Sequence, residues 1–221
     1  MTEHQPGREE RQEFHRELGD IEAKVIELFT IVAEDLPRAT DALLNGNSEA
    51  VRALAERDRV IDGVYPEIEE LADRELLLQQ PAASDFRLLI SVLRVVPELE
   101  RSHDLIVDIA RRGGLILSQD LSARSRRLIE HMGDLAAGMW REAVDCWCER
   151  DSSAAVSLGE RDDEMDELYA GLMAELASGE MSLPVTMQLT LVARFYERLA
   201  HHAFNIARRV IYLAGHTQQG S

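Results

Sequence analysis

The chain has 221 residues, of which 45% are hydrophobic and 29% charged, enough apolar material for a buried core and too much for a disordered polypeptide. A formal charge of −17 sets it against phosphate backbones and anionic lipid, which are held by basic patches, so nucleic acid is excluded as an expected partner. Membrane insertion is excluded too: a span needs roughly 20 uninterrupted apolar residues, and the most apolar run, LLISVLRVVPEL, is broken by Arg94.

The N-terminus is acidic and polar rather than signal-like, which points to a cytoplasmic protein, and residues 1–12 read as flexible. Leu18, Ile21, Val25, Leu28, Val32, Leu36, Ala39 and Leu43 then recur at steps of three and four, the stripe of a long amphipathic helix. Asn45-Gly46-Asn47 ends it, with glycine suited to the left-handed C-terminal position and Asn47 or Ser48 to the next cap. A second helix is predicted from about Ser48 to Gln79, bent or interrupted near Pro66. The third follows Pro81 and runs to Arg111-Arg112, kinked at Pro97 and stopped by Gly113-Gly114. GGLILSQDL is the natural boundary between halves. Beyond it the pattern predicts helices over about Leu121–Glu149, Ser152–Ala177 and Pro184–Ala214, with a flexible tail over 216–221. Cys146 and Cys148 lie on one predicted helix about 200° apart, so they read as reduced thiols that cannot bridge each other.

The phrase ERDRVIDGVY at Glu56–Tyr65 returns as ERDDEMDELY at Glu160–Tyr169, a shift of 104 that also carries Asp41 onto Asp145. Glu100-Arg101 returns as Glu197-Arg198, a shift of 97, which places a deletion in the connecting loop. The expected fold is therefore all-α: a tandem duplication of two antiparallel three-helix bundles, 1–115 and 116–215. Helices of about 30 residues make each bundle a rod about 45 Å long.

Residues four apart share a helix face, so Asp58 stacks on Asp62 and Asp162 on Asp166. On the third helix Glu100, Asp104 and Asp108 form another row, which reads Glu197, His201, Asn205 in the second half. In a chain with 41 acidic residues an isolated row is a solvated face. Two duplicated rows facing each other are different, because four converging carboxylates require cations. Arg57, Arg101, Arg161 and Arg198 are the rival compensation, yet each is one residue from its acidic neighbour and faces some 100° away. The candidate metal ligands are thus Asp58, Asp62, Glu100 and Asp104 in the first half and Asp162, Asp166, Glu197 and His201 in the second. Oxygen donors favour magnesium, manganese or iron, and the histidine admits zinc. His103 and His202 read as hydrogen-bonded packing residues rather than ligands.

With QQPAASDFRLL, LERSHDLIVDIA and YERLAHHAFNIARRVIYL added to the two acidic phrases, the chain resembles the PhoU family of phosphate-signalling regulators from about Glu13 to Gly215. The resemblance implies two three-helix bundles, metal held at acidic E/D-x-x-x-D motifs, and a non-enzymatic role restraining the phosphate-starvation response. It further implies homodimers, with a phosphate ABC transporter ATPase and a sensor histidine kinase as partners. Departures from the family phrase fall at His103, Ala200, His201 and Asp108. Two other classes stay open: a di-metal carboxylate oxidase or iron store, for which only Glu100-Arg101-Ser102-His103 has the Glu-x-x-His spacing, and a metal-free helical adaptor. No phosphate-binding glycine loop, HExxH or catalytic triad pattern appears, so no catalytic residue is assigned.

Overall fold

The computed structural model describes residues 7–78, 81–116 and 121–215. Among them are six helices: α1 (Arg8–Asn45), α2 (Ser48–Leu78), α3 (Ala83–Arg112), α4 (Ala123–Glu149), α5 (Ala154–Ala177) and α6 (Leu183–Leu213). No described residue lies in a strand, so the fold is all-α, as the periodicity predicts.

Each turn has a local cause. Gly46 takes φ 68° after α1, and Asn47 Oδ1 then accepts from the backbone amides of Glu49 (3.2 Å) and Ala50 (3.0 Å) to cap α2. Ser122 Oγ accepts from Ser125 N at 3.0 Å, so α4 starts at Ala123, two residues later than expected. Asp151 Oδ1 accepts from the backbone and hydroxyl of Ser153, and that turn moves the start of α5 to Ala154.

One expectation needs correction: residues 8–12, expected to be flexible, belong to α1, as their good helix formers allow. At Pro66 the helix runs on without interruption, and Pro97 in α3 and Pro37 in α1 likewise lie inside continuous helices. α3 ends at Arg112, before Gly113-Gly114 as expected; Gly113 is right-handed, and its smallness serves packing, since a Cβ there would stand 2.4 Å from Ala42 O. Residues 1–6, Gln79, Gln80, most of the boundary segment (117–120) and the tail at 216–221 lie outside the described residues.

Within each half the three helices pack on one another, and α1 also packs on α4 and α3 on α6. The halves therefore share one continuous core rather than meeting only through a linker. Phe29 of α1 lies 5.6 Å from the Trp147 ring and 6.4 Å from the Trp140 ring of α4. Thr40 and Tyr196 hydroxyls bond at 2.8 Å across the same boundary, Ser102 Oγ meets His202 Nδ1 at 2.8 Å, and Arg150 pairs with Glu22. α2 and α5 are left at the outer edges, where their acidic phrases stand beside α3 and α6.

Candidate metal centres

The register of α2 against α3 brings the first acidic set together. The Glu100 carboxyl is raised above its ordinary value, first by burial and then by Asp104, Asp62 and Asp58. Asp104 is raised likewise, by burial and then by Asp58, Asp62 and Asp108. All four predicted first-half residues thus lie in one field. Among the described residues, Asp62, Glu100 and Asp104 make no ion pair, while Asp58 meets His103 Nδ1 at 2.8 Å.

The arginines are occupied elsewhere. Arg57 pairs with Asp35 at 2.9 Å and Glu34 at 3.1 Å, Arg161 pairs with Glu142 at 3.3 Å, and Arg101 Nε donates to Pro97 O at 2.9 Å. None of the three forms an ion pair with the rows, in keeping with their helical offset, although Arg101 offsets part of the field at Glu100. The donor chemistry fits a hard cation: four oxygen-bearing side chains, half exposed and repelling one another, of which Asp58 alone has a basic partner, His103, among the described residues. As placed, no three His, Cys, Asp or Glu side chains among the described residues are gathered closely enough to enclose an ion. The set is an open row rather than a closed cage.

Beneath it lies His103, the hydrogen-bonded packing residue that the sequence reading expected, with a partner, Asp35, that it did not single out. His103 is fully buried, and its Nε2 meets Asp35 Oδ2 at 3.0 Å while Nδ1 meets Asp58. Both ring nitrogens are thus engaged by carboxyl oxygens, which ties α1 to α2 through α3. Asp35 is also fully buried and takes Arg38 at 2.9 Å besides Arg57. With both nitrogens engaged, His103 does not pair with Glu100 as the Glu-x-x-His ligands that the oxidase reading would use. A signal for Asp35 was present: it falls on the apolar stripe, between Val32 and Ala39.

The second set is looser. His201 Nδ1 lies 3.3 Å from Asp162 Oδ2, and Asp162 is raised by burial despite that bond. Glu197 is raised chiefly by burial, with Arg194 opposing at 2.8 Å, a contact too far off-line to be a hydrogen bond. Asp166 adds to the field at both. Oxygen and nitrogen donors suit zinc or iron as well as magnesium or manganese, but Arg194 competes for Glu197.

His202 is buried as expected of a packing residue, with its basicity pushed down to about 4 by burial and by Arg198, Arg101 and His201. Glu98, 3.5 Å from Nε2, pulls the other way and is outweighed.

The PhoU domain family model matches residues 25–113 and again 129–210, one copy on each helical trio. The chain is 32% identical over 206 residues to the phosphate-specific transport system accessory protein PhoU homolog of Pseudomonas putida, covering 91% of this chain and 80% of that one. It is also 32% identical to the homolog of the same name from Aquifex aeolicus, covering 90% and 91%. The crystal structure of PhoU from Pseudomonas aeruginosa superposes with a TM-score of 0.84 at 31% identity, over 91% of this chain and 98% of that one. The phosphate transport system regulatory protein PhoU from Streptococcus pneumoniae gives 0.83 at 26%, covering 94% and 100%. Duplicated acidic phrases, six helices and these matches lead to one assignment: the chain belongs to the PhoU family.

Proposed function

We propose that this chain is a phosphate-transport accessory regulator that acts by contact rather than catalysis, restraining the phosphate-starvation response between a transporter ATPase and a sensor histidine kinase, and working in the cytoplasm as a homodimer. The observation that carries the reading is the row Asp58, Asp62, Glu100, Asp104, shared between two helices, in which Asp62, Glu100 and Asp104 make no ion pair among the described residues. These residues would hold a divalent or trivalent cation, as would Asp162, Asp166, Glu197 and His201. The ion supplies positive charge that offsets carboxylate repulsion. Asp58 and Asp62 then brace α2 to α3, and the His103–Asp35 pair beneath fixes the height of Asp58. None of the described helices is long and apolar enough to cross a membrane, which suits docking onto a transporter's water-exposed subunit.

Elemental analysis of purified protein tests the metal, with Asp58→Ala and Asp162→Ala as variants. Bound iron, zinc, manganese or magnesium should fall in each variant. Metal content indifferent to both changes would return the chain to the metal-free adaptor class. Affinity capture from cells shifted between high and low phosphate tests the partners: recovery of neither an ATPase nor a kinase in either condition would overturn the regulatory role.

A further inference from the structure

The groove between α3 and α6 has two ends related by the internal repeat, and they differ in charge. At one end, a groove of about 580 Å³ is lined by Arg94, Arg101, Arg208 and Arg209. Among the described residues none of these four makes an ion pair, although the chain as a whole carries −17. Arg208 and Arg209 instead stack on Phe204 (5.8 Å) and Tyr212 (5.2 Å), which holds their planes in place. Glu98, which also lines the groove, is turned toward His202. Arg209 is pushed below the usual arginine range by burial and by Arg94, so the guanidinium charges stand close enough to feel each other.

The other end shows how the same frame behaves when the charge is satisfied. Shifting by 97 carries Arg208 and Arg209 onto Arg111 and Arg112, and Asn205 onto Asp108. Asp108 takes both arginines at 3.8 Å, and Arg112 also donates to the Asp108 carbonyl at 2.8 Å. Asn205 cannot do this for its own pair. At one end a carboxylate stands within 4 Å of both arginines, and at the other no carboxylate among the described residues stands that near any of the four.

We propose that the Arg94–Arg101–Arg208–Arg209 groove binds a compact oxyanion bearing two or more linked phosphate groups. Guanidinium forks match phosphate oxygens bidentately. A single orthophosphate would leave most of the groove unfilled, whereas the volume falls in the range of small-molecule sites. An anionic lipid surface is opposed by the charge of the whole chain. The phosphate chain has two sources, an inorganic condensed phosphate or a nucleoside polyphosphate.

Titration calorimetry of the purified full chain with orthophosphate, pyrophosphate, tripolyphosphate and ATP tests the assignment. Tripolyphosphate should bind at least about tenfold more tightly than orthophosphate, and weaken with added salt. The double variant Arg94→Gln/Arg208→Gln, at two exposed positions, should lose about 100-fold in affinity, while Arg111→Gln, the repeat-related control, should lose nothing. ATP tighter than tripolyphosphate assigns the nucleoside source; tripolyphosphate tighter than ATP assigns the inorganic chain. The proposal is overturned by silence from all four probes, by orthophosphate binding as tightly as tripolyphosphate, or by full affinity in the double variant. It is equally overturned by an affinity that survives Arg94→Gln/Arg208→Gln but vanishes in Asp58→Ala, which would put the polyphosphate on the acidic row.

Discussion

Asp35 and His103 meet at 3.0 Å in the sealed interior of the first bundle, and the repeat-related positions hold Met139 and Ala200, also buried. The two halves have solved one packing problem in two ways, once with a hydrogen-bonded charge network and once with apolar contact. Removing a single partner from a buried pair strands the other, at a cost of roughly 3 kcal/mol or more. Asp35→Met and His103→Ala should each lower stability by about that much in urea unfolding. The double variant should fall short of the summed cost by at least about 1 kcal/mol. Strict additivity would mean the two residues are not energetically coupled.

Burial first, and neighbouring carboxylates second, hold Glu100 and Asp104 above their ordinary values. A raised folded-state value contributes stability that is fully present below the unfolded value and is lost as pH rises through the folded one. At neutral pH their ionisation is therefore a cost. Glu100→Gln should raise the melting temperature of chelator-treated protein slightly, by a few tenths of a kcal/mol, while abolishing any rise that the wild type shows on adding metal. A chelator-treated variant that melts below the treated wild type would contradict this.

His202 has the opposite sign. Its folded-state value, about 4, lies below the ordinary 6.5, so its contribution is intact above that ordinary value and drains away as pH falls toward 4. Its counterpart in the first half is Leu105. His202→Leu should flatten the loss of stability between those limits by roughly 2–3 kcal/mol relative to wild type. Parallel melting curves across the pH series would show that His202 does not bear this load.

Gly113 and Gly63 make a contrasting pair. A Cβ at Gly113 would strike the backbone of Ala42 and Leu43, whereas one at Gly63 meets nothing within 4 Å. Gly113→Ala should destabilise by about 2 kcal/mol. Gly63→Ala, exposed in the middle of α2, should stabilise by about 0.5–1 kcal/mol. Thermal melts of the two variants should move in opposite directions.

The thiols should separate by access. Cys146 is buried, its acidity suppressed to about 11, and its Sγ contacts Asp151 O at 3.1 Å; Cys148 is exposed. A chromogenic disulfide reagent should titrate one cysteine in native protein and two after denaturation. Cys148→Ser should remove the native signal.

The class, the six helices and the repeat were legible because they rest on the spacing of apolar residues, which the backbone geometry translates directly. Helix starts moved by a residue or two where a side chain competed for the cap, as at Ser122 and Ser153. Pro66 left bend and break as alternatives, and the helix does not break there because α2 is held against a shared core. That Asp58 and Asp62 share one field with Glu100 and Asp104 followed from the doubled rows, while their spacing as an open row did not. Asp35 did not, since its meaning depends on which residue of another helix stands opposite, and one helix's pattern carries no record of that. The arginine groove was hidden for the same reason: its members come from two helices, and only their placement shows which arginines Asp108 silences and which remain bare.

Phe29 wedged against two tryptophans of the opposite half has a mechanical corollary. Prying the trios apart would expose three large rings at once, so the molecule is built to move as a plate and not as a pair of jaws. A change in such a molecule is then written on its outer faces rather than in the opening of a hinge.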